Sequence, residues 1–139
     1  MFFITENVFN GGVEIFVKDV SDEKNGNTHQ DGSWIILREN YFLKHPRIFI
    51  ENMGAIFHRN TFKIREISAV GTIIAADNVN ITNNIFENQV DSRFGFQNYL
   101  KAEKKLDNIR EVFDIENGVN VVAAENILVM NYQNTRKEV

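Results

Sequence analysis

Four stretches of this chain share one eight-residue pattern, and no other feature restricts the fold so tightly. FFITENVF (Phe2 to Phe9), IILRENYF (Ile35 to Phe42), AIFHRNTF (Ala55 to Phe62) and VNITNNIF (Val79 to Phe86) align without gaps. Each has apolar residues at its first and third places, Asn at the sixth and Phe at the eighth. Alternate residues of a strand face the same side, so places one and three bury together. The Asn follows where the chain must turn, because Asn tolerates the left-handed bend of a tight turn. Phe9, Phe42, Phe62 and Phe86 then point back inward and stack. Coils laid about 4.8 Å apart bring Asn7, Asn40, Asn60 and Asn84 into one column, in which each amide can hydrogen-bond its neighbours above and below.

The alignment runs on past the Phe. Ile15-Phe16-Val17, Ile48-Phe49-Ile50 and Ser68-Ala69-Val70 fall at the same distance beyond it. IIAADNVNI (Ile73 to Ile81) also matches VVAAENILV (Val121 to Val129), at a separation of two periods of about 24 residues, a solenoid spacing. Ile127, Val129, Asn131 and Tyr132 keep the sense of a last repeat with one residue missing. The expected fold is therefore all-β, a right-handed parallel β-helix built as one domain over residues 1–139. An antiparallel sandwich with Asn in its turns is the alternative, but a sandwich does not require the same Asn-x-Phe after every strand.

Two segments interrupt the repeat. Residues 18–33, KDVSDEKNGNTHQDGS, are polar and glycine-bearing and read as an inserted loop. Residues 97–113 read as an inserted amphipathic α-helix, because Tyr99, Ala102, Leu106, Ile109 and Phe113 recur at three- and four-residue steps among charged residues. Its apolar face needs a partner. The outward second place offers one: Phe3, Ile36 and Ile56 form an apolar column outside the coil, and Phe16 and Phe49 form another. Either the helix folds back over such a column, or a partner chain, a second copy or a longer parent protein covers it. The first repeat begins in mid-coil with no capping segment before Phe2, which suggests a piece of a longer solenoid.

Composition narrows the function. With 24% charged residues and a formal net charge of −4, the 139-residue chain does not look like a nucleic-acid binder. The nearest basic group, Lys101, Lys104 and Lys105, lies in a mixed-charge segment. There are no cysteines, hence no disulfides, thiolate metal sites or thiol nucleophiles. No apolar run is long enough for a membrane span. The start, MFFITENVF, lacks a basic region and does not read as a signal peptide.

The repeat resembles that of the pectin-lyase-like superfamily of right-handed parallel β-helices, whose coils read apolar-x-apolar-x-x-Asn-x-Phe. The resemblance is best over Val79 to Phe86 and covers the chain from Phe2 to about Asn88. It implies a carbohydrate-binding or polysaccharide-processing protein, acting on an acidic polysaccharide laid along an outer sheet, with an extracellular or cell-surface location. Calcium is a possible cofactor by that resemblance alone. The competing class is a non-catalytic structural β-helix, such as a surface appendage, filament or phage tailspike-like subunit.

Candidate site residues follow from the outward fourth and fifth places. Arg38, His58 and Arg59 on neighbouring coils would form a small basic patch able to pair with uronate carboxylates, with Glu39 among them. Glu39 and Arg59 pairing across coils would instead make this an ordinary solvated face. The three clustered aspartates and Gly-His-Gly of polygalacturonase-like enzymes are missing. Asp19, Asp22, Glu23 and Asp31 lack calcium-loop spacing. A fainter similarity is to β-helical alginate and chondroitin lyases, which use a Lys base and an Arg acid on successive coils; Lys18 and Arg38 match in order and separation. The register opposes it, because Lys18 falls in the column of Glu51 and Gly71, whereas Arg38 lies with Thr5 and His58. Lys18, Arg38 and His58 are thus the catalytic candidates of a possible polysaccharide lyase or glycoside hydrolase. His29, His45 and His58 have no metal-ligand spacing.

Overall fold

The computed structural model describes residues 1–19, 33–65, 69–75, 77–88 and 99–133. The chain is all-β, with parallel sheets. Three of them take the strands in strict rotation. The first sheet collects β1 (Phe2–Thr5), β4 (Trp34–Arg38), β7 (Gly54–His58), β10 (Asn78–Thr82) and β14 (Asn120–Ala124) in that order. The second holds β2 (Val8–Phe9), β5 (Tyr41–Phe42), β8 (Thr61–Ile64), β11 (Ile85–Asn88) and β15 (Ile127–Gln133), with β12 (Tyr99–Lys105) at its far edge. The third holds β3 (Glu14–Lys18), β6 (Arg47–Glu51), β9 (Gly71–Ile74) and β13 (Phe113–Ile115). Apart from β12, an added antiparallel strand, each circuit of the chain visits the three sheets once and returns one strand further along.

The register is that of the eight-residue pattern. Phe2, Ile35, Ala55 and Val79 are successive partners in the first sheet, and Phe9, Phe42, Phe62 and Phe86 in the second. The inner faces of the three sheets meet in a single apolar cluster. Its spine is the phenylalanine column, with ring centroids 4.9, 4.8 and 5.2 Å apart and planes within 14° of parallel. Phe113 enters from the third sheet and meets Phe62 and Phe86 edge-on, the arrangement that the ring quadrupole favours at a cluster's margin.

The turn after the first sheet uses its residues differently from expectation. The left-handed backbone belongs to the residue before the Asn: Glu6, Glu39, Arg59, Asn83 and Glu125, with φ between 56° and 58°. The Asn supplies hydrogen bonds that the bent backbone cannot. Asn40 Oδ1 accepts from both the N–H and Nδ2 of Asn7, each at 3.1 Å. The same pair of bonds links Asn40 to Asn60, Asn60 to Asn84 and Asn84 to Asn126. From Asn40 onward each Nδ2 also donates to the circuit before, Asn40 to the Ile4 carbonyl at 2.7 Å and Asn126 to the Ile81 carbonyl at 2.8 Å. Leaving such buried groups unpaired would cost about 1–3 kcal/mol each.

Four further expectations are corrected. The last repeat is VVAAENIL, Val121 to Leu128, which pairs with Val79 to Phe86 and puts Asn126 on Asn84 and Leu128 on Phe86. The match of Ile73 to Ile81 with Val121 to Val129 is thus six residues out of step, and Asn131 lies beyond the repeat. In the third sheet Ile48 meets Gly71, not Ser68, because three more residues separate β8 from β9 than the motif spacing allows. A Cβ on Gly71 would come within 2.2 Å of the Ile48 carbonyl oxygen, so only glycine fits there.

The expected α-helix over 97–113 is absent among the described residues. Tyr99–Lys105 is a strand, antiparallel to β15 along its whole length, and Ile109–Glu111 is a single 3₁₀ turn capped by Asn108. The open edge of β15 demands backbone partners, and that demand overrides the helical spacing. Leu106, Ile109 and Phe113 are nonetheless buried. The helix therefore covers neither apolar column. The expected loop 18–33 lies mostly outside the described residues: Lys18 ends β3, and Ser33 precedes β4.

Candidate functional site

Strand parity decides what the first sheet shows to solvent. Ile35 and Leu37 are fully buried, so Trp34, Ile36 and Arg38 face outward on β4. On β7 the outward residues in register with them are Gly54, Ile56 and His58. Arg38 and His58 are thus neighbours about 4.8 Å apart across the strands. His58 Nδ1 lies 2.8 Å from Thr82 Oγ1 on β10, which fixes the imidazole against the next strand.

Glu39 and Arg59 occupy the left-handed turn position, where the side chain leaves the sheet for solvent. Glu39 does not pair with Arg59. Its carboxylate is 3.8 Å from Arg38 Nε, and both side chains are largely exposed, so the pair orients Arg38 more than it stabilises the fold. Arg59 has no ion pair among the described residues. The structure therefore brings Arg38, Glu39, His58 and Arg59 together on two consecutive circuits. Two guanidinium forks and an imidazole beside one another can hold a carboxylate bidentately and donate to hydroxyls.

Lys18 is elsewhere. It ends β3 in the third sheet, 3.5 Å from Glu51, and its column continues to Ile74, not to Gly71. Lys18 and Arg38 stand on different sheets and in different columns. His45 precedes β6, and its Nδ1 is buried without a hydrogen-bond partner. Burial, then the charge of Arg65, hold its pKa below the ordinary histidine value against a backbone contact with Ala69. His29 lies outside the described residues. Among the described residues no three His, Asp or Glu side chains are grouped to hold a metal ion. Asp22, Glu23 and Asp31, considered for calcium, lie outside the described residues. No described helix is long and apolar enough to cross a membrane.

One residue of the outward row was missed. Trp34 attracts no attention as an isolated tryptophan. The signal lies in the register: the place one step before the repeat reads Trp34 then Gly54, a large ring above a residue with no side chain. Comparison with protein-family models, curated proteins and solved structures finds no match to this chain.

Proposed function

We propose that the chain is a right-handed parallel β-helix, a solenoid of the pectin-lyase-like kind, which binds an acidic polysaccharide at the cell surface or outside the cell. The fold reading is supported by the strict rotation of strands among three parallel sheets and by the asparagine column; its hand follows from the strong right-handed preference of parallel crossovers. The observation that carries the binding reading is the register of Arg38 with His58, with Arg59 beside them, which sets cationic and donor groups at strand spacing. Uronate carboxylates match such a row in charge and geometry. The separation of Lys18 from Arg38 favours binding without turnover over a lyase or hydrolase.

The test is calorimetric titration with alginate, pectin and glycosaminoglycan oligosaccharides. Binding that weakens tenfold or more in Arg38→Ala and Arg59→Ala, and that falls with salt, is expected. Retention of none of these glycans, or unchanged affinity in both variants, would sink the reading. Release of unsaturated or reducing ends would convert it to an enzyme.

The exposure of Phe3 and Phe16, at 63% and 69%, favours a second reading as a structural β-helix that assembles through its apolar outer columns. A concentration-dependent sedimentation coefficient abolished by Phe3→Asp would support it.

A further inference from the structure

Where the third sheet hands the chain to the first, Phe2, Lys18, Asp19, Ser33, Trp34 and Met53 line a recess of about 400 Å³. Building on the sugar-binding reading of the first sheet, we propose that this recess is a subsite for one uncharged pyranose ring, a neutral or N-acetylated unit of the same acidic polysaccharide.

Trp34 is the platform. A Cβ placed on Gly54 would lie 2.5, 2.6 and 2.7 Å from three adjacent atoms of the indole. Such near-equal distances mean that the ring lies face-on over the glycine. The glycine thus sets the ring's orientation, and any larger residue at 54 would displace it. A π-face carries partial negative charge, and the C–H groups on one side of a pyranose carry partial positive charge, so the two stack. Phe2, 60% exposed, and buried Met53 extend the apolar lining.

The polar wall supplies the rest. Ser33 Oγ donates to Asp19 Oδ2, which fixes the carboxylate at the rim. Lys18 stands beside it, paired with Glu51. A carboxylate next to an ammonium offers an acceptor and a donor to vicinal hydroxyls. Lys18 and Asp19 are the two charged side chains of the described lining and cancel in sign, which suits an uncharged ring. Size agrees, since small-ligand sites start near 300 Å³.

The recess also lies in line with the basic row. Trp34 and Arg38 face the same side of β4, four residues and so roughly 13 Å apart. One sugar chain along β4 would reach both, with an uncharged ring at Trp34 and a carboxylate at Arg38. The two sites together select a polymer that mixes uncharged and uronic units over a pure polyuronate.

Trp34 is the chain's one tryptophan, so intrinsic emission reports on this recess alone. The whole chain is titrated with oligosaccharides of hyaluronan, in which uronate alternates with an N-acetylhexosamine, and with oligosaccharides of alginate, which are uronate throughout. Hyaluronan should shift the emission, and by calorimetry Trp34→Phe and Asp19→Asn should each weaken it about tenfold. Alginate, held at Arg38 and Arg59, should bind without moving the emission and be insensitive to Trp34→Phe. Arg38→Ala should weaken both sugars yet leave the hyaluronan-induced shift. If hyaluronan binds with unmoved emission and full affinity for Trp34→Phe, the recess is no subsite, while the basic row stands. If neither sugar binds, both proposals fall. Should Trp34→Phe unfold, the emission of the unaltered chain decides alone.

Discussion

At one end of the molecule the last parallel strands are β13, β14 and β15, and at the other they are β1, β2 and β3. Both ends face the same difficulty, since a terminal parallel strand carries unpaired backbone groups and a half-covered core. At the first of these ends β12 runs back along β15, and residues 100–105 are all exposed, with Lys101, Glu103, Lys104 and Lys105 among them. Charges on an outermost strand discourage further pairing. Leu106 donates its N–H to the Asn126 carbonyl at 2.9 Å, where the neighbouring circuits use Tyr41, Thr61, Ile85 and Ile127. Asn126 is 1% exposed as a result. At the other end Asn7 is exposed, and Phe2, Phe3, Val8 and Phe16 stand in solvent on strands with one paired edge each among the described residues. In the second sheet the same repeat therefore has a covered, charged edge at one end and an open, apolar one at the other, and the difference lies in a single non-repeating segment; β13 and β14 keep one paired edge each among the described residues.

Phe113→Ala, which empties a fully buried site at the closed end, should cost about 3–5 kcal/mol, read from the urea midpoint. Asn84→Ala should follow at roughly 3 kcal/mol, because it strips partners from Asn60, Phe57 and Asn126, whereas Asn7→Ala should cost less than about 1 kcal/mol. Equal losses at Asn84 and Asn7 would mean that the open end is covered in solution. Acidification should act next. Burial alone would raise the pKa of Glu87, but hydrogen bonds from Lys63 at 2.7 Å and from Asn131, with the charges of Lys63 and Lys101, hold it below its ordinary value. A depressed carboxylate stabilises fully above the ordinary value of 4.5 and progressively less as pH falls through the folded one. Melting temperature should therefore drop below that pH, and less steeply in Glu87→Gln. The smallest effect belongs to Phe3→Asp, within about 0.5 kcal/mol as for other surface changes. A loss near that of Phe113→Ala would show copies of the chain closing the open end.

Much of this was legible in the sequence. The register of β1, β4, β7 and β10, the stacked Phe9 to Phe86 and the aligned Asn7, Asn40, Asn60 and Asn84 all follow from one pattern, because a period-two strand and an invariant turn leave no freedom in pairing. Val121 to Leu128 escaped because Leu128 takes the Phe place and 42 residues separate Asn126 from Asn84. Lys63 and Glu87 were not singled out, although their shared place in the repeat was available. The segment over 97–113 could not be read locally. Leu106, Ile109 and Phe113 bury as a helical face would while Ala102 is exposed, and what decides the conformation of the segment is the strand edge of β15, which comes later in the chain. Trp34 needed the register before its meaning could be seen, since the glycine beneath it belongs to the next circuit.

The asparagine amides all face the same way, each giving its N–H groups toward the next circuit and receiving at Oδ1 from the one before. Rotating any interior amide by half a turn would set nitrogen against nitrogen on one side and oxygen against oxygen on the other. No amide can reverse alone; the whole row would have to reverse together, against the backbone donors that aim at Oδ1. The column thus has a built-in sense, fixed jointly by Asn7, Asn40, Asn60, Asn84 and Asn126, and that sense leaves the Asn7 Oδ1 without a donor among the described residues.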